Sequence, residues 1–219
     1  MFALASLLLG LASSPNSTPI IKIKALYFGI NPIQIGTKNC QGEISERSIY
    51  THSFSPHFAV HCPESKLTLY RTQASSAEGV KWSPWVSALV PSSGENFLAI
   101  ISETPTQPTL HLLPDSNYLR EGGVFHIFNL SHTTIAIDFP GQKKVLPRGQ
   151  RTQFRPDVKN ATYGQGRFTT VDEVNAEAKH SGVRWLQMED TRLFWFILPP
   201  SSEGPSLILK NIEDQIFAP

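Results

Sequence analysis

The chain closes each of its halves with the same sequence figure. Near the middle, Asn96-Phe97-Leu98-Ala99-Ile100-Ile101-Ser102 runs into a proline-containing break and then into Pro108-Thr109-Leu110-His111-Leu112-Leu113-Pro114-Asp115. Near the end, Arg192-Leu193-Phe194-Trp195-Phe196-Ile197-Leu198 runs into Pro199-Pro200-Ser201-Ser202-Glu203-Gly204 and then Pro205-Ser206-Leu207-Ile208-Leu209-Lys210. Both copies are an apolar strand, a loop bounded by proline, and a second strand opened by proline, a hydroxyl residue and leucine. Internal repetition limits the architecture more than any local feature does. It predicts two related all-β modules in tandem, with the repeated strand pair as scaffold and Trp195 in a core.

The rest of the chain agrees with that class. Seventeen prolines and fourteen glycines are spread along 219 residues, which opposes long helices. Hydrophobic residues at 40% supply enough side chain for two modest cores. Short strand patterns recur about every ten residues, the mark of a sandwich or barrel. Ile20 to Phe28 is the first. Phe58 to Cys62 and Lys66 to Arg71 read as a hairpin about Pro63-Glu64-Ser65, and Val124 to Asn129 and Thr134 to Phe139 as a second one. Residues 171–180 are ambiguous: Thr170 with Glu173 forms a capping-box pattern for one short helix, and a polar hairpin loop fits equally. The expected fold is two tandem antiparallel, immunoglobulin-like β-sandwich modules at 20–118 and 119–219, with at most one short helix. Aligning the two hairpins leaves twice as much chain between Ile137 and Leu193 as between Leu69 and Phe97. The second module is therefore predicted to carry an insertion.

Residues 1–19 read as a signal peptide and linker. An apolar run from Phe2 ends in small residues, with Gly10 and Ala12 at −3 and −1 of a cut, although no Lys or Arg precedes it. The run is short of the roughly 20 apolar residues that span a bilayer. A buried or frayed N-terminal segment is the alternative. Export predicts a periplasmic or secreted protein, and in an oxidising compartment Cys40 and Cys62 could close one disulfide. A net charge of +1, with no basic run longer than Lys143-Lys144, supplies no field for phosphates and excludes nucleic acid as an expected partner.

Catalytic patterns are absent from the sequence. The serines fall in loop clusters outside any nucleophile-elbow motif, and the adjacent acidic pairs 172–173, 189–190 and 213–214 point to opposite faces if they are extended. His52, His57 and His61 crowd Cys62. On a straight strand, however, His57 and His61 would stand about 13 Å apart, too far for one zinc. No metal and no cofactor is expected. The binding candidates are aromatics beside turns: Trp82 and Trp85, which bracket Ser83-Pro84 in what reads as an exposed loop, and Tyr163 beside Gly164 and Gly166. Asn16, Asn129 and Asn160 begin glycosylation sequons.

The segment Phe125-His126-Ile127-Phe128-Asn129-Leu130-Ser131, followed by Gly141-Gln142-Lys143 and Leu146-Pro147-Arg148-Gly149, resembles uncharacterised exported bacterial proteins built of tandem β-sandwiches. In outline, and more distantly, it is similar to accessory β-sandwich proteins of alginate acetylation. That resemblance implies an exported scaffold and carries no catalytic residue across. The function expected from the sequence is an exported, non-enzymatic binding or accessory protein of the cell envelope, with an envelope polysaccharide or protein as partner. Two alternatives stand beside it: an envelope polysaccharide-modifying enzyme with a site between the modules, and a scaffold acting through sheet edges.

Overall fold

The structure, a computed structural model, describes residues 19–73, 81–103, 107–115, 122–171, 180–199 and 207–216. The first half holds β1 (Ile20–Phe28), β2 (Ile33–Lys38), β3 (Ile44–Ile49), β4 (Phe58–His61), β5 (Lys66–Gln73), β6 (Lys81–Leu89), β7 (Asn96–Glu103) and β8 (Pro108–Pro114). The second holds β9 (Phe125–Asn129), β10 (Thr134–Phe139), β11 (Gln142–Leu146), β12 (Arg151–Phe154), β13 (Thr162–Val171), β14 (His180–Gln187), β15 (Thr191–Leu198) and β16 (Ile208–Gln215). Among the described residues the helical content is one 3-10 turn at Pro63–Ser65. The fold is all-β, two tandem sandwiches.

Each module has an inner and an outer sheet of four strands. The inner sheets run β4-β1-β7-β8 and β12-β9-β15-β16; the outer sheets run β3-β2-β5-β6 and β11-β10-β13-β14. The pairing is antiparallel except for one parallel pair per module, β1 with β7 and β9 with β15. Strand for strand, β9–β16 repeat the connectivity of β1–β8. The hairpin alignment drawn from sequence therefore needs correction, because Phe125–Asn129 corresponds to β1 and not to β4. With the strands matched correctly, the stretch from β2 to β7 is slightly longer than its counterpart from β10 to β15. Among the described residues the second module has no added hairpin; β11–β14 answer to β3–β6. Strand β13 extends through Thr170 and Val171, and β14 pairs back on it with His180 opposite Thr169. Residues 172–179, where the helix or hairpin loop was expected, lie outside the described residues, as does the expected signal segment.

The near-continuous apolar character of β7 and β15 follows from their position. Phe97, Ala99 and Ile101 point into the core of the first module, while Leu98 and Ile100 point out of it. Leu193, Trp195 and Ile197 fill the second core, while Phe194 and Phe196 point away. A strand covered on both faces has no polar face to display. The outward sets meet each other. Leu26, Leu98 and Ile100 join Phe128, Phe194, Phe196 and Ile212 in a third core between the inner sheets. The molecule is thus four sheets deep. Its central contact is reciprocal: β16 lies against β1, with Lys24 bonded to Asp214 and Lys210 over the Phe28 ring, while β8 lies against β9 at His111, Leu113 and Phe128. Two like modules meeting by the same face in this manner imitate a two-fold dimer within one chain.

Two local features of the sequence acquire structural roles. Asn129 is fully buried; its amide donates to the Thr133 and Leu146 carbonyls, and its Oδ1 accepts from the Ser131 N–H and hydroxyl. The Asn-Leu-Ser motif is a lock between strands, and its asparagine is closed to solvent in the folded chain. The cysteines stay apart. Cys40 is exposed in the β2–β3 turn, Cys62 is buried in the first core, and both are free, so the expected disulfide is not formed. Burial pushes the Cys62 thiol up to about 11. A thiol reagent at pH 8 is therefore expected to add once to the native chain, at Cys40, and a second time only in denaturant. Double labelling of native protein, read by intact mass, would show that Cys62 is open.

Candidate functional site

The outer sheet of the second module alternates in and out with period two. Ile135, Ile137 and Phe139 of β10 and Phe168 of β13 fill the core. Their neighbours Ala136, Asp138, Arg167 and Gln165 face outward. Register then sets one transverse row across four strands: Lys143 opposite Asp138, Asp138 opposite Arg167, and Arg167 opposite Gly182. At about 4.8 Å per strand the row is roughly 14 Å long. Gly182 ends it with a gap, since a Cβ there would meet nothing within 4 Å. The gap belongs to an open groove of about 750 Å³. Arg184 flanks it one row along, opposite Gln165.

The electrostatics of this face are one-sided. Lys143 lies 3.6 Å from Asp138 in a solvent-exposed pair, and exposed pairs of this kind are worth little. Among the described residues, neither Arg167 nor Arg184 has a carboxylate within ion-pair distance. Three cations thus face one carboxylate. Tyr163 stands on the same face, 63% exposed, with the Arg184 guanidinium 4.2 Å from its ring centroid. A planar guanidinium stacked on a ring holds both groups in place. Of the aromatics singled out from sequence, Tyr163 is the one that reaches such a setting.

Trp82 and Trp85 do not sit in an exposed loop. Both belong to the edge strand β6, where Trp85 is the extra residue of the bulge at the Leu69/Tyr70 register shift and Pro84 lies next to it, opposite Tyr70. An edge strand with a bulge tolerates proline because no ladder hydrogen bond is required of its nitrogen. Trp82 lies over Gly36, where an added Cβ would come within 2.9 Å of the indole. Trp85 packs against the first core, edge-on to Tyr27 at 6.5 Å and beneath Arg71 at 5.3 Å. Arg71 and the Tyr27 hydroxyl both bond Glu103, each at 2.7 Å. Burial and that carboxylate push the Tyr27 hydroxyl up to about 12. The two indoles are thus committed to packing, and they do not share a surface with Tyr163.

The ionisable cluster that the sequence did not reveal lies between the modules. Arg192 is 2% exposed at the start of β15 and donates to Asp115 at 2.8 Å and to Asp214 at 2.6 Å. Lys24 adds a second cation on Asp214 at 3.0 Å. Desolvation alone would lower the Arg192 pKa, and the two carboxylates outweigh it and hold the guanidinium more firmly charged. Each charge is answered by another, an arrangement suited to fastening and not to proton transfer. Among the described residues, no group of three histidine, cysteine or acidic side chains is arranged to hold a metal ion. No described helix is long and apolar enough to cross a membrane. No family model matches the chain, and no curated protein matches it.

Proposed function

We propose that the chain is an exported, non-enzymatic binding or accessory protein of the cell envelope, and that its ligand is an acidic glycan held on the outer sheet of the second module. The observation that carries this reading is the exposed Tyr163–Arg184 stack beside a groove flanked by Arg167 and Lys143 and opened by Gly182. A sugar ring offers a C–H face that stacks on an aromatic side chain, and a uronic acid carboxylate pairs with a guanidinium in a bidentate fork. The groove is shallow and open, suited to a chain passing across the sheet.

The two alternatives receive less support. An enzyme with its site between the modules needs ionisable groups that converge on a substrate, whereas Arg192, Asp115, Asp214 and Lys24 converge on one another. A sheet-edge scaffold needs an edge open to pairing, but edge strand β11 carries Lys143 and Lys144, charges that discourage edge-to-edge addition.

Titration calorimetry with a polyuronate oligosaccharide and a neutral glucan of equal length tests the proposal. The acidic oligomer is expected to bind with an affinity that falls as salt rises, and the neutral one to bind at least ten-fold more weakly. Tyr163→Ala is expected to cost about ten-fold in affinity, the scale of one aromatic stack. Equal binding of both oligomers, or an unaltered Tyr163→Ala variant, would sink the reading.

A further inference from the structure

The reciprocal contact between the modules is broken at one end. In the first module the apolar floor at Phe28 is covered by the chain itself, with the Lys210 ammonium 5.0 Å from the ring centroid. Burial there lowers the Lys210 pKa below the usual ammonium value. The strand register makes His111 the counterpart of Lys210, since Ile100 faces His111 as Phe196 faces Lys210. By the same register Leu130, next after β9, is the counterpart of Phe28. At this second end the shorter imidazole leaves space. A cavity of about 480 Å³ opens there, floored by Leu113, Phe128 and Leu130 and rimmed by His111, Arg148 and Arg151.

The backbone of the rim is fixed before anything binds. Arg148 and Arg151 flank the tight turn between β11 and β12, in which Gly149 takes φ +71° and donates to the Asn129 carbonyl at 2.8 Å. The Asn129 N–H in turn donates to the Gln150 carbonyl at 3.0 Å, and the Asn129 side chain is bonded as described above. A turn held from both sides fixes the backbone positions from which its two arginines extend, so that only their side chains are left to order on binding. Among the described residues, neither arginine has a carboxylate within ion-pair distance. At the opposite end a cation lies on an apolar floor; here two cations surround one. We infer that this cavity between the modules is a second ligand site, taking a small amphipathic carboxylate whose apolar body lies on Leu113, Phe128 and Leu130 and whose carboxylate is held by Arg148 and Arg151. Its size is that of a small-molecule site. The inference goes beyond the outer-sheet reading and does not depend on it.

Calorimetry of the full chain with octanoate tests it, using octanol, octylammonium and acetate as controls. One equivalent of octanoate is expected to bind at least ten-fold more tightly than any control, since each control lacks either the charge, its sign or the apolar body. The exposed double variant Arg148→Gln/Arg151→Gln is expected to reduce octanoate to the level of octanol without moving the thermal midpoint of the free protein. Leu113→Trp, which fills the cavity, is expected to abolish octanoate binding and to leave the polyuronate affinity alone. The inference is overturned if octanoate binds no better than octanol. It is equally overturned if the double variant binds octanoate unchanged, or if Tyr163→Ala rather than Arg148→Gln/Arg151→Gln removes it, which would place the carboxylate on the outer sheet.

Discussion

Replacing Arg192 by leucine is expected to destabilise the protein by about 3–5 kcal/mol, the cost of removing one partner from a buried ion cluster. The magnitude comes from what is left behind. Asp115 is 1% exposed and would be left without the Arg192 guanidinium, in surroundings where water cannot substitute. Asp214 would fare better, because Lys24 still reaches it. The asymmetry yields an ordering that plain loss of packing would not produce. Asp115→Asn alone should cost less than Arg192→Leu. The double variant Arg192→Leu/Asp115→Asn should be more stable than Arg192→Leu by itself, since the stranded carboxylate is gone. Urea titration of the four proteins completes the cycle. An Arg192→Leu loss below about 1 kcal/mol, against the scale for a broken buried pair, would mean that water reaches the cluster.

Phe196→Ala should cost a comparable amount, about 3–5 kcal/mol by the scale of buried aromatic truncation. Phe196 is fully buried in the third core, with Phe28 at 5.0 Å, edge-on, and Phe128 at 5.2 Å, stacked. Its loss opens a cavity between the modules, not within one. The consequence is visible in cooperativity as well as in stability. The wild-type chain should melt in one calorimetric transition because its modules share this core. Phe196→Asp, which places a charge there, should resolve two transitions, each module then melting alone. A control in the second core, Phe168→Ala, should lower stability without splitting the melt. A single transition in Phe196→Asp would refute the coupling.

What could be read from sequence tracks how far each feature is set by local chemistry. The paired closing strands were legible because a strand covered on both faces is apolar at every position, and such runs stand out. Trp195 in the second core was legible for the same reason. Strand β3, Ile-Ser-Glu-Arg-Ser-Ile, was not: it is an edge strand with four consecutive exposed residues, and its alternation leaves no hydrophobic mark. Missing it together with β2 set the β4–β5 hairpin, and not β1–β2, against β9–β10 and created the supposed insertion. Pro84 misled in another way, since proline reads as a loop signal and only the sheet order reveals an edge. Arg192 gave no signal at all. A charged residue flanking an apolar strand reads as its solvated end, and Asp115 is remote from it in the chain. Tyr163 was singled out by its glycine neighbours, but its contact with Arg184 and the Lys143–Gly182 row exist only once four strands are in register.

The parallel pair in each module bears on when the protein can fold. Strand β1 finds its parallel partner only at the seventh strand of its module, with Lys22 opposite Asn96, and β9 waits as long in turn, with Phe125 opposite Leu193. At a synthesis rate of about 5–20 residues per second, the first strand stays without that neighbour for roughly 4–15 s. Pairings so distant in sequence also form slowly once both strands exist, because loop closure precedes any gain from contact. Neither sandwich can close until its seventh strand has emerged. Export of the kind proposed above, by threading through a membrane, requires a chain that reaches the translocation machinery unfolded, and this topology supplies such a delay by itself.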